Sequence, residues 1–261
     1  RMLDMGFAPD VRRIIYLLPD DRQTMLFSAT LSAEIAGLSS DILKNPSMVA
    51  VTPPASVSNK ITQQVMFVEQ TDKRQLLKEI LSRDSTARAL VFTRTKHRAN
   101  KVVKELLKAG ITADAIHSNK SQTARQRALS AFDGGRIKVL VATDIAARGI
   151  DVEGISHVIN YEMPDDPKSY VHRIGRTARA GSEGTALSLC NADEVALLGG
   201  IEKLTRSPLL ADADHPFHSA AIASLHGGTP SPRAGVAPSK PKRRFGRRRN
   251  VATRPHAGVR R

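Results

Sequence analysis

The sequence predicts an α/β fold in which a parallel β-sheet carries helices on both faces. From residue 61 onward, short apolar segments alternate with amphipathic segments of helical period, which is the order of strand–helix–strand units. Two apolar segments, "ALVFT" at 89–93 and "IKVLVAT" at 137–143, are almost continuously apolar. This pattern is typical of strands that are buried on both faces.

The same alternation predicts the individual elements. Strands are expected at 61–68, 88–93, 112–116, 137–142, 156–160 and 184–190. Helices are expected at 72–83, 95–109, 121–133, 167–178 and 193–205. Ligands of such sheets bind beyond the carboxyl ends of the strands, and the polar residues predicted there are Thr93, Thr95, Thr143 and Asp144.

Residues 1–50 predict only a helix, a short strand ("QTMLFSA", 23–29) and a second helix. Three elements are too few to close a sheet, so this segment is interpreted as the last part of a larger domain. The chain begins with Arg1 rather than Met, and we expect it to be part of a longer protein. The Pro- and Ser-rich segment 51–60 is interpreted as a linker.

Charge divides the chain at about residue 206. The net charge is +15, and the segment from Arg206 onward has twelve basic and two acidic residues, so it carries ten of the fifteen charges. Residues 61–206 are therefore predicted to form the folded domain, and 207–261 a disordered basic tail. Such a tail attracts nucleic acid through phosphate contacts, although an incidental solvated tail remains an alternative.

Composition excludes several other classes of protein. No apolar run approaches the roughly 20 residues of a membrane-spanning helix, so no membrane partner is expected. Cys190 is the only cysteine, which rules out an intrachain disulfide and a cysteine-based zinc site. It lies in an apolar run, so we expect a buried, inert thiol. A reducing cytoplasm fits this composition, and no metal site is predicted.

The segment "HRIGRTARAG" at 172–181 spaces three arginines at i, i+3 and i+6: Arg173, Arg176 and Arg179. On a helix, this spacing places the three guanidinium groups roughly on one face. Their forked donors suit a polyphosphate or a phosphodiester backbone. A solvated basic helix face is the alternative interpretation.

Together with "TDIAARGID" at 143–151, this segment resembles motifs V and VI of the DEAD-box RNA helicases of superfamily 2. Further similar segments follow in collinear order over about residues 1–205: "RMLDMGF" (1–7), "SAT" (28–30), "VFTRTK" (91–96), "SQTARQRALSAF" (121–132) and "VINYEMP" (158–164). The segment "IHSNKSQTARQRAL" and the later "HPFHS" resemble the bacterial RhlE-type subgroup.

The resemblance implies a complete second RecA-like domain at 61–206, preceded by a partial first RecA-like domain. It further implies that ATP is cleaved between two such domains. In that family pattern Arg176 and Arg179 reach the γ-phosphate, with Arg179 as the arginine finger. Gly149 and Asp151 would contact the nucleotide, with Asp151 accepting a hydrogen bond from the ribose. His172 would couple the γ-phosphate to Ser28, Ala29 and Thr30 of the other domain.

For RNA, the resemblance implies sequence-independent contacts to the sugar-phosphate backbone. The implied contact residues are Thr95, Gln122, Arg125, Thr143 and Arg148. Gln122 and Arg125 are predicted in the first turn of one helix and on the same side, where free N–H groups favour an anion. Partner proteins in ribosome assembly or RNA decay are expected from the same resemblance.

The chain departs from the family pattern in important ways. It contains no phosphate loop of the form GxxxxGK[ST] and no acidic box. We therefore expect the Mg²⁺ ion to be held by a missing N-terminal domain, and the chain alone not to hydrolyse ATP. Ala178 stands where the family often has Gly, which is expected to cost little on a helix.

Two other interpretations remain open. One is a non-catalytic RNA-binding RecA-like module with a basic tail. The weaker one is a DNA repair or remodelling motor of the same superfamily.

Overall fold

A computed structural model describes residues 7–28, 33–49, 60–83, 85–147, 150–179 and 181–227. Its centre is a sheet of seven strands in the order β3-β4-β2-β5-β6-β1-β7, in which every neighbouring pair is parallel. The strands are β1 (Ile61–Phe67), β2 (Ala89–Phe92), β3 (Ala113–Ile116), β4 (Val139–Ala142), β5 (His157–Asn160), β6 (Gly184–Cys190) and β7 (Leu210–Ala211). The predicted parallel α/β sheet is therefore confirmed.

Helices cover both faces of the sheet. The helices are α1 (Ala8–Tyr16), α2 (Ala33–Ile42), α3 (Lys73–Ser82), α4 (Lys96–Lys108), α5 (Gln122–Asp133), α6 (Pro167–Ile174), α7 (Val195–Thr205) and α8 (Ala220–Gly227). Helices α3 and α4 share one apolar core with the sheet, whereas α5 to α8 share the other. Among the described residues, no helix combines the length and the apolar character needed to cross a membrane.

The predicted strand at 23–29 is wrong for the residues that are described. Residues 23–28 form no strand, and the side chains of Met25 and Phe27 are 69% and 86% exposed. A strand needs a partner for its backbone N–H and C=O groups, and no strand of the described chain pairs with this segment. Its apolar character therefore predicted a strand for which the described residues supply no pairing partner.

The predicted helix over 167–178 is also wrong at its end, because α6 ends at Ile174 and Gly175 caps it. Two residues further on, Thr177 is buried and its hydroxyl donates to the carbonyl of Ile155. Gly184 approaches this threonine so closely that a Cβ on the glycine would lie 2.2 Å from the threonine Oγ1. These contacts turn the chain away from the helix axis.

The early end of α6 overturns two expectations. Arg173, Arg176 and Arg179 do not share a helix face, because only Arg173 lies within α6. Ala178 lies in the left-handed region with φ of +55°, where a side chain costs energy and glycine does not. The expectation of a helical, inexpensive alanine is therefore wrong.

The predicted start of the tail at 207 is too early. Strand β7 pairs with β1, and α8 places Ile222 in the core beside Leu209. The sequence did not predict β7 and α8, because isolated apolar positions among polar ones show no clear helical or strand period. The folded part therefore extends at least to residue 227. Residues 228–261 and the linker residues 51–59 lie outside the described part of the chain.

Candidate functional site

The candidate site lies at the carboxyl edge of the sheet, where the loops after β2, β4 and β5 meet α6. Parallel strands all end at this edge, so the polar residues that follow them come together. A cleft of about 300 Å³, counted with its open mouth, lies here. It is lined by Phe92, Asp144, Ala147, Ser169, His172, Arg173 and Arg176.

Arg173 points inward and binds the protein itself. It is 1% exposed, and its Nε and Nη2 atoms each donate to one oxygen of Asp144 at 2.7 Å. Its Nη1 donates to the side chain of Asn160 at 3.2 Å and to the Glu162 carbonyl at 2.7 Å. A buried guanidinium requires such a complete set of acceptors. The expectation that Arg173 offers its fork to a phosphate is therefore wrong.

Arg176 and Arg179 lie beyond the end of α6 and converge on one carbonyl. Their Nη1 atoms donate to the oxygen of Ile150, at 2.7 Å from Arg176 and 3.5 Å from Arg179. Arg179 also donates to Gly175 and forms an ion pair with Asp151. The side chains of Arg179 and Asp151 are 27% and 89% exposed, so this pair stays accessible from solvent.

The other residues implied for nucleotide binding and coupling are only partly described. His172, the third implied catalytic residue, lies in the last turn of α6 and lines the cleft beside Arg176. Ser28 is exposed at the end of its segment. Gly149, Ala29 and Thr30 lie outside the described residues. The structure thus brings Arg176, Arg179, Asp151 and His172 to one region.

The implied RNA-binding residues follow adjacent strands of the same edge. The hydroxyl of Thr95, after β2, caps α4 by accepting from the Arg98 N–H at 3.1 Å. Thr143 follows β4, which neighbours β2 in the sheet. Arg148 lies outside the described residues.

Gln122 and Arg125 form a small cluster at the start of α5. Gln122 is the first residue of this helix, and its Oε1 lies 3.5 Å from Nη1 of Arg125. Arg125 Nη2 donates to the Ala146 carbonyl at 3.4 Å, which ties α5 to the loop after β4. The Nε atom of Arg125 is buried and has no hydrogen-bond partner within the described structure. The two predicted neighbours do face the same way.

A buried ion pair behind this edge was missed by the sequence analysis. Lys73 is fully buried and donates to Glu194, to the Tyr161 carbonyl at 3.1 Å and to the Leu189 carbonyl at 2.8 Å. Burial lowers the pKa of Lys73, and the charge of Glu194 opposes that shift. Lys73 starts an amphipathic helix, so its sequence position resembles that of any solvated lysine.

Glu194 connects the buried Lys73 to the loop after β2. Its Oε1 accepts from the Met163 N–H at 3.1 Å and from Arg94 Nη2 at 3.2 Å. Glu162 also contacts this loop: it accepts from the Arg94 N–H at 2.9 Å and pairs with Arg98 at 3.3 Å. These two carboxylates therefore hold the Arg94 N–H and the side chains of Arg94 and Arg98, on both sides of Thr95.

The donor set fits a nucleotide phosphate. Two guanidinium groups on accessible loops suit a polyphosphate, and a carboxylate beside them suits a ribose hydroxyl. Within the described ranges, no group of three His, Cys, Asp or Glu side chains could hold a metal ion. Cys190 is fully buried, and burial raises its pKa to about 12, so it is an unreactive thiol.

Comparisons with known proteins identify the family. The model of the helicase conserved C-terminal domain matches residues 72–181. The crystallised chain of the Escherichia coli DEAD-box protein SrmB, bound to regulator of ribonuclease activity A, is 38% identical. Its TM-score is 0.59, and the match covers 94% of that chain and 60% of this one. The chain belongs to the DEAD-box protein family.

Longer family members match as well. Dbp5 of Saccharomyces cerevisiae, bound to RNA and ADP BeF₃, is 30% identical with a TM-score of 0.72, covering 79% of this chain and 55% of Dbp5. The ATP-dependent RNA helicase DBP2 of Lodderomyces elongisporus is 44% identical over 210 residues. That match covers 79% of this chain but only 38% of DBP2, so the chain spans well under half the length of this relative.

Proposed function

We propose that this chain is the C-terminal half of an ATP-dependent RNA helicase that unwinds or remodels RNA. The observation that carries the proposal is the convergence of Arg176 and Arg179 on the Ile150 carbonyl, beside Asp151. Phosphoryl transfer needs positioned positive charge more than covalent chemistry. Two arginines held at the carboxyl edge of a parallel sheet supply this charge.

Each residue then has a distinct role toward ATP. Arg179 acts as the arginine finger and Arg176 assists it at the γ-phosphate, where such a finger adds roughly 10³–10⁵ in rate. Asp151 and Gly149 contact the ribose side of the nucleotide. His172 relays the presence of the γ-phosphate to Ser28, Ala29 and Thr30 of the preceding domain.

The preceding domain supplies the rest of the ATP site. The phosphate loop and the acidic box are absent from this sequence, and the described residues contain no group of three His, Cys, Asp or Glu that could hold a metal ion. We therefore assign Mg²⁺ and the β-phosphate to that preceding domain. This chain alone should bind RNA but should not hydrolyse ATP.

RNA binds through its backbone at the same edge of the sheet. Thr95, Thr143, Gln122 and Arg125, with Arg148, contact phosphates and sugars there. Contacts of this kind position a strand without reading its sequence. The relative Dbp5 bound to RNA supports this assignment.

We assign the subgroup, the partner proteins and the cellular location from short sequence segments, from one relative and from the cysteine content. The segments "IHSNKSQTARQRAL" and "HPFHS" support a bacterial RhlE-type protein. The SrmB chain bound to regulator of ribonuclease activity A supports a partner protein of RNA decay, and partners in ribosome assembly are proposed from the family resemblance alone. A single, buried cysteine supports a cytoplasmic location.

Phosphate release with and without RNA tests the proposed function. A protein in which this chain follows an ATP-binding domain should show RNA-stimulated release, and this chain alone should show none. Release by this chain alone would overturn the proposed division of the ATP site.

The main competing function is a non-catalytic RNA-binding module with a basic tail, which the ten net positive charges from Arg206 onward favour. If the naturally encoded protein contains no ATP-binding domain and still binds RNA, that second function replaces the first.

A further inference from the structure

Helix α4 presents a basic ridge to solvent that the proposed ATP and RNA sites do not use. His97, Lys101, Lys104 and Lys108 are all exposed. They are spaced by four, three and four residues, which places them along one face of the helix. We call these four residues the α4 ridge. It runs for about 16 Å at the rise of an α-helix.

Positive charge is concentrated on this side of the sheet. Helices α3 and α4 carry eight Lys or Arg and two Glu within 23 residues. The helices on the opposite face carry five Lys or Arg and two acidic residues within 39 residues. The only acid of α4 is Glu105, whose carboxylate is occupied by Lys108 at 3.2 Å.

Basic groups on α4 and on the elements next to it act on two titratable groups beside the ridge. The hydrogen bond from Lys108 lowers the pKa of Glu105, and the charges of Lys78 and Arg74 on α3 lower it further. Burial lowers the pKa of His117 beyond the other flank, and the charges of Lys120, Lys96 and His97 add to this shift. Cations of α3, of α4 and of the loop after β3 therefore lie close to these two groups.

The α4 ridge is continuous with the proposed RNA site. Helix α4 is capped by Thr95, which lies at the carboxyl edge where the RNA backbone is proposed to bind. A strand that leaves this edge along α4 would meet His97, then Lys101, Lys104 and Lys108 in turn. Lysine is depleted at protein–protein interfaces, whereas sequence-independent phosphate contacts use it heavily. The chemistry of the ridge therefore favours RNA over a protein partner.

We propose that the α4 ridge is a second contact surface for RNA phosphates, which extends the strand path away from the carboxyl edge. The proposal rests on the proposed RNA binding at that edge. It assigns a length-dependent part of the affinity to three lysines outside the family motifs, of which Lys108 would exchange its ion pair with Glu105 for a phosphate contact.

Salt-dependent binding to short and long RNA tests the ridge. The probes are single-stranded uridine RNAs of about 6 and about 24 nucleotides, which span less and more than a typical single-strand site. The test variant of the full chain is Lys101→Ala, Lys104→Ala, Lys108→Ala. On the long RNA, the plot of log affinity against log salt has a negative slope, and the loss of three phosphate contacts should reduce its magnitude by about 2. Binding to the short RNA should stay unchanged.

A matched control removes the same charge from elsewhere. Arg127→Ala, Arg136→Ala, Lys203→Ala changes three exposed cations on or next to α5 and α7. Alanine favours helix, so the test variant should keep its fold, which circular dichroism checks. The control should keep the long-RNA slope of the unmodified chain.

Each remaining outcome has a defined meaning. Equal salt-dependence slopes on the long RNA for the test and control variants would overturn the proposed role of the ridge but leave the proposed RNA binding at the carboxyl edge intact. Failure of the unmodified chain to bind either RNA would overturn the proposed function and the ridge together. Loss of polyglutamate binding in the test variant, with RNA binding unchanged, would reassign the ridge to an acidic protein.

Discussion

Arg173 and Arg179 belong to one short motif but lie in opposite environments. Arg173 is buried and fully bonded to Asp144, Asn160 and the loop after β5. Arg179 lies on a turn and pairs with the exposed Asp151. The first joins α6 to two strand ends, and the second stays accessible to a ligand. Two arginines six positions apart therefore have different roles: Arg173 stabilises the site, and Arg179 is available to bind a ligand.

The break after Ile174 creates this difference. If the helix continued to 178, as the sequence predicted, the arginines at i, i+3 and i+6 would share one environment. The turn at Gly175 and the buried hydroxyl of Thr177 direct the later arginines toward Ile150 instead. A motif with even spacing thus acquires two roles through a local change of backbone direction.

The largest expected effect comes from Arg179→Ala in a protein in which this domain follows an ATP-binding domain. Loss of the finger should reduce ATP turnover by roughly 10³–10⁵-fold, while RNA affinity changes little. Steady-state phosphate release and RNA titration measure the two quantities. Arg127→Ala, on the exposed side of α5, is the control. Turnover equal to that of the control would remove Arg179 from the ATP site.

Arg173→Met should act on stability instead. Removing one partner of a buried ion pair leaves the other uncompensated, and Asp144 is about one-third exposed, so the free energy of unfolding should fall by about 3 kcal/mol. Urea unfolding measures this change. Arg176→Met, at a half-buried position, should cost no more than about 1 kcal/mol. Similar losses in both variants would contradict the contrast between the inward and outward arginines.

Ala178→Gly tests the strain in the turn between these arginines. The native φ of +55° disfavours a side chain, so glycine should raise the free energy of unfolding by about 0.5–1 kcal/mol. Differential scanning calorimetry would show a higher Tm. Ala124→Gly, inside α5, should have the opposite sign because glycine weakens a helix interior. A lower Tm for Ala178→Gly would show that the methyl group contributes more through packing than it costs.

A smaller effect comes from a buried basic group that, unlike Arg173, has no acceptor. Both ring nitrogens of His215 are buried and unpartnered within the described structure. Burial lowers the pKa of His215, the nearby His218 adds to this, and Asp212 and Glu79 oppose it. The unfolded chain takes up the proton first, near pH 6.5, so stability is complete above that pH and falls below it.

His215→Phe should therefore flatten the loss of stability between pH 7 and pH 5. Urea unfolding at both pH values measures the slope. The slope should not vanish, because burial also lowers the pKa of His117 and His157. His97→Ala, at an exposed position, serves as the control. An unchanged slope in His215→Phe would place the pH dependence elsewhere.

Local periodicity predicts most of the fold between residues 61 and 205. The strands from β1 to β6 and the helices from α3 to α7 lie within a few residues of their predicted bounds. These elements bury regular apolar patterns that a sequence displays directly. The errors fall where non-local contacts decide: the end of α6, set by Thr177 and Gly184, and the segment 23–28, which lacks a pairing strand.

The candidate site is only partly predictable for the same reason. The motif resemblance identified Arg176, Arg179 and Asp151, which the structure brings together. The Lys73–Glu194 pair escaped because its partners are 121 residues apart and neither belongs to a motif. A charged residue at the start of an amphipathic helix carries no local sign of its burial.

The short strand β7 has a practical consequence for this domain. It covers part of the outer edge of β1, and the residues after it continue this cover: the backbone N–H of Asp212 donates to the Val65 carbonyl and that of Ser219 to the Phe67 carbonyl. A chain that stops at residue 206 would expose these carbonyls on an apolar strand. Unpaired edges of this kind recruit other chains and promote aggregation. Expression boundaries placed after residue 227 should therefore give a more soluble, monodisperse domain.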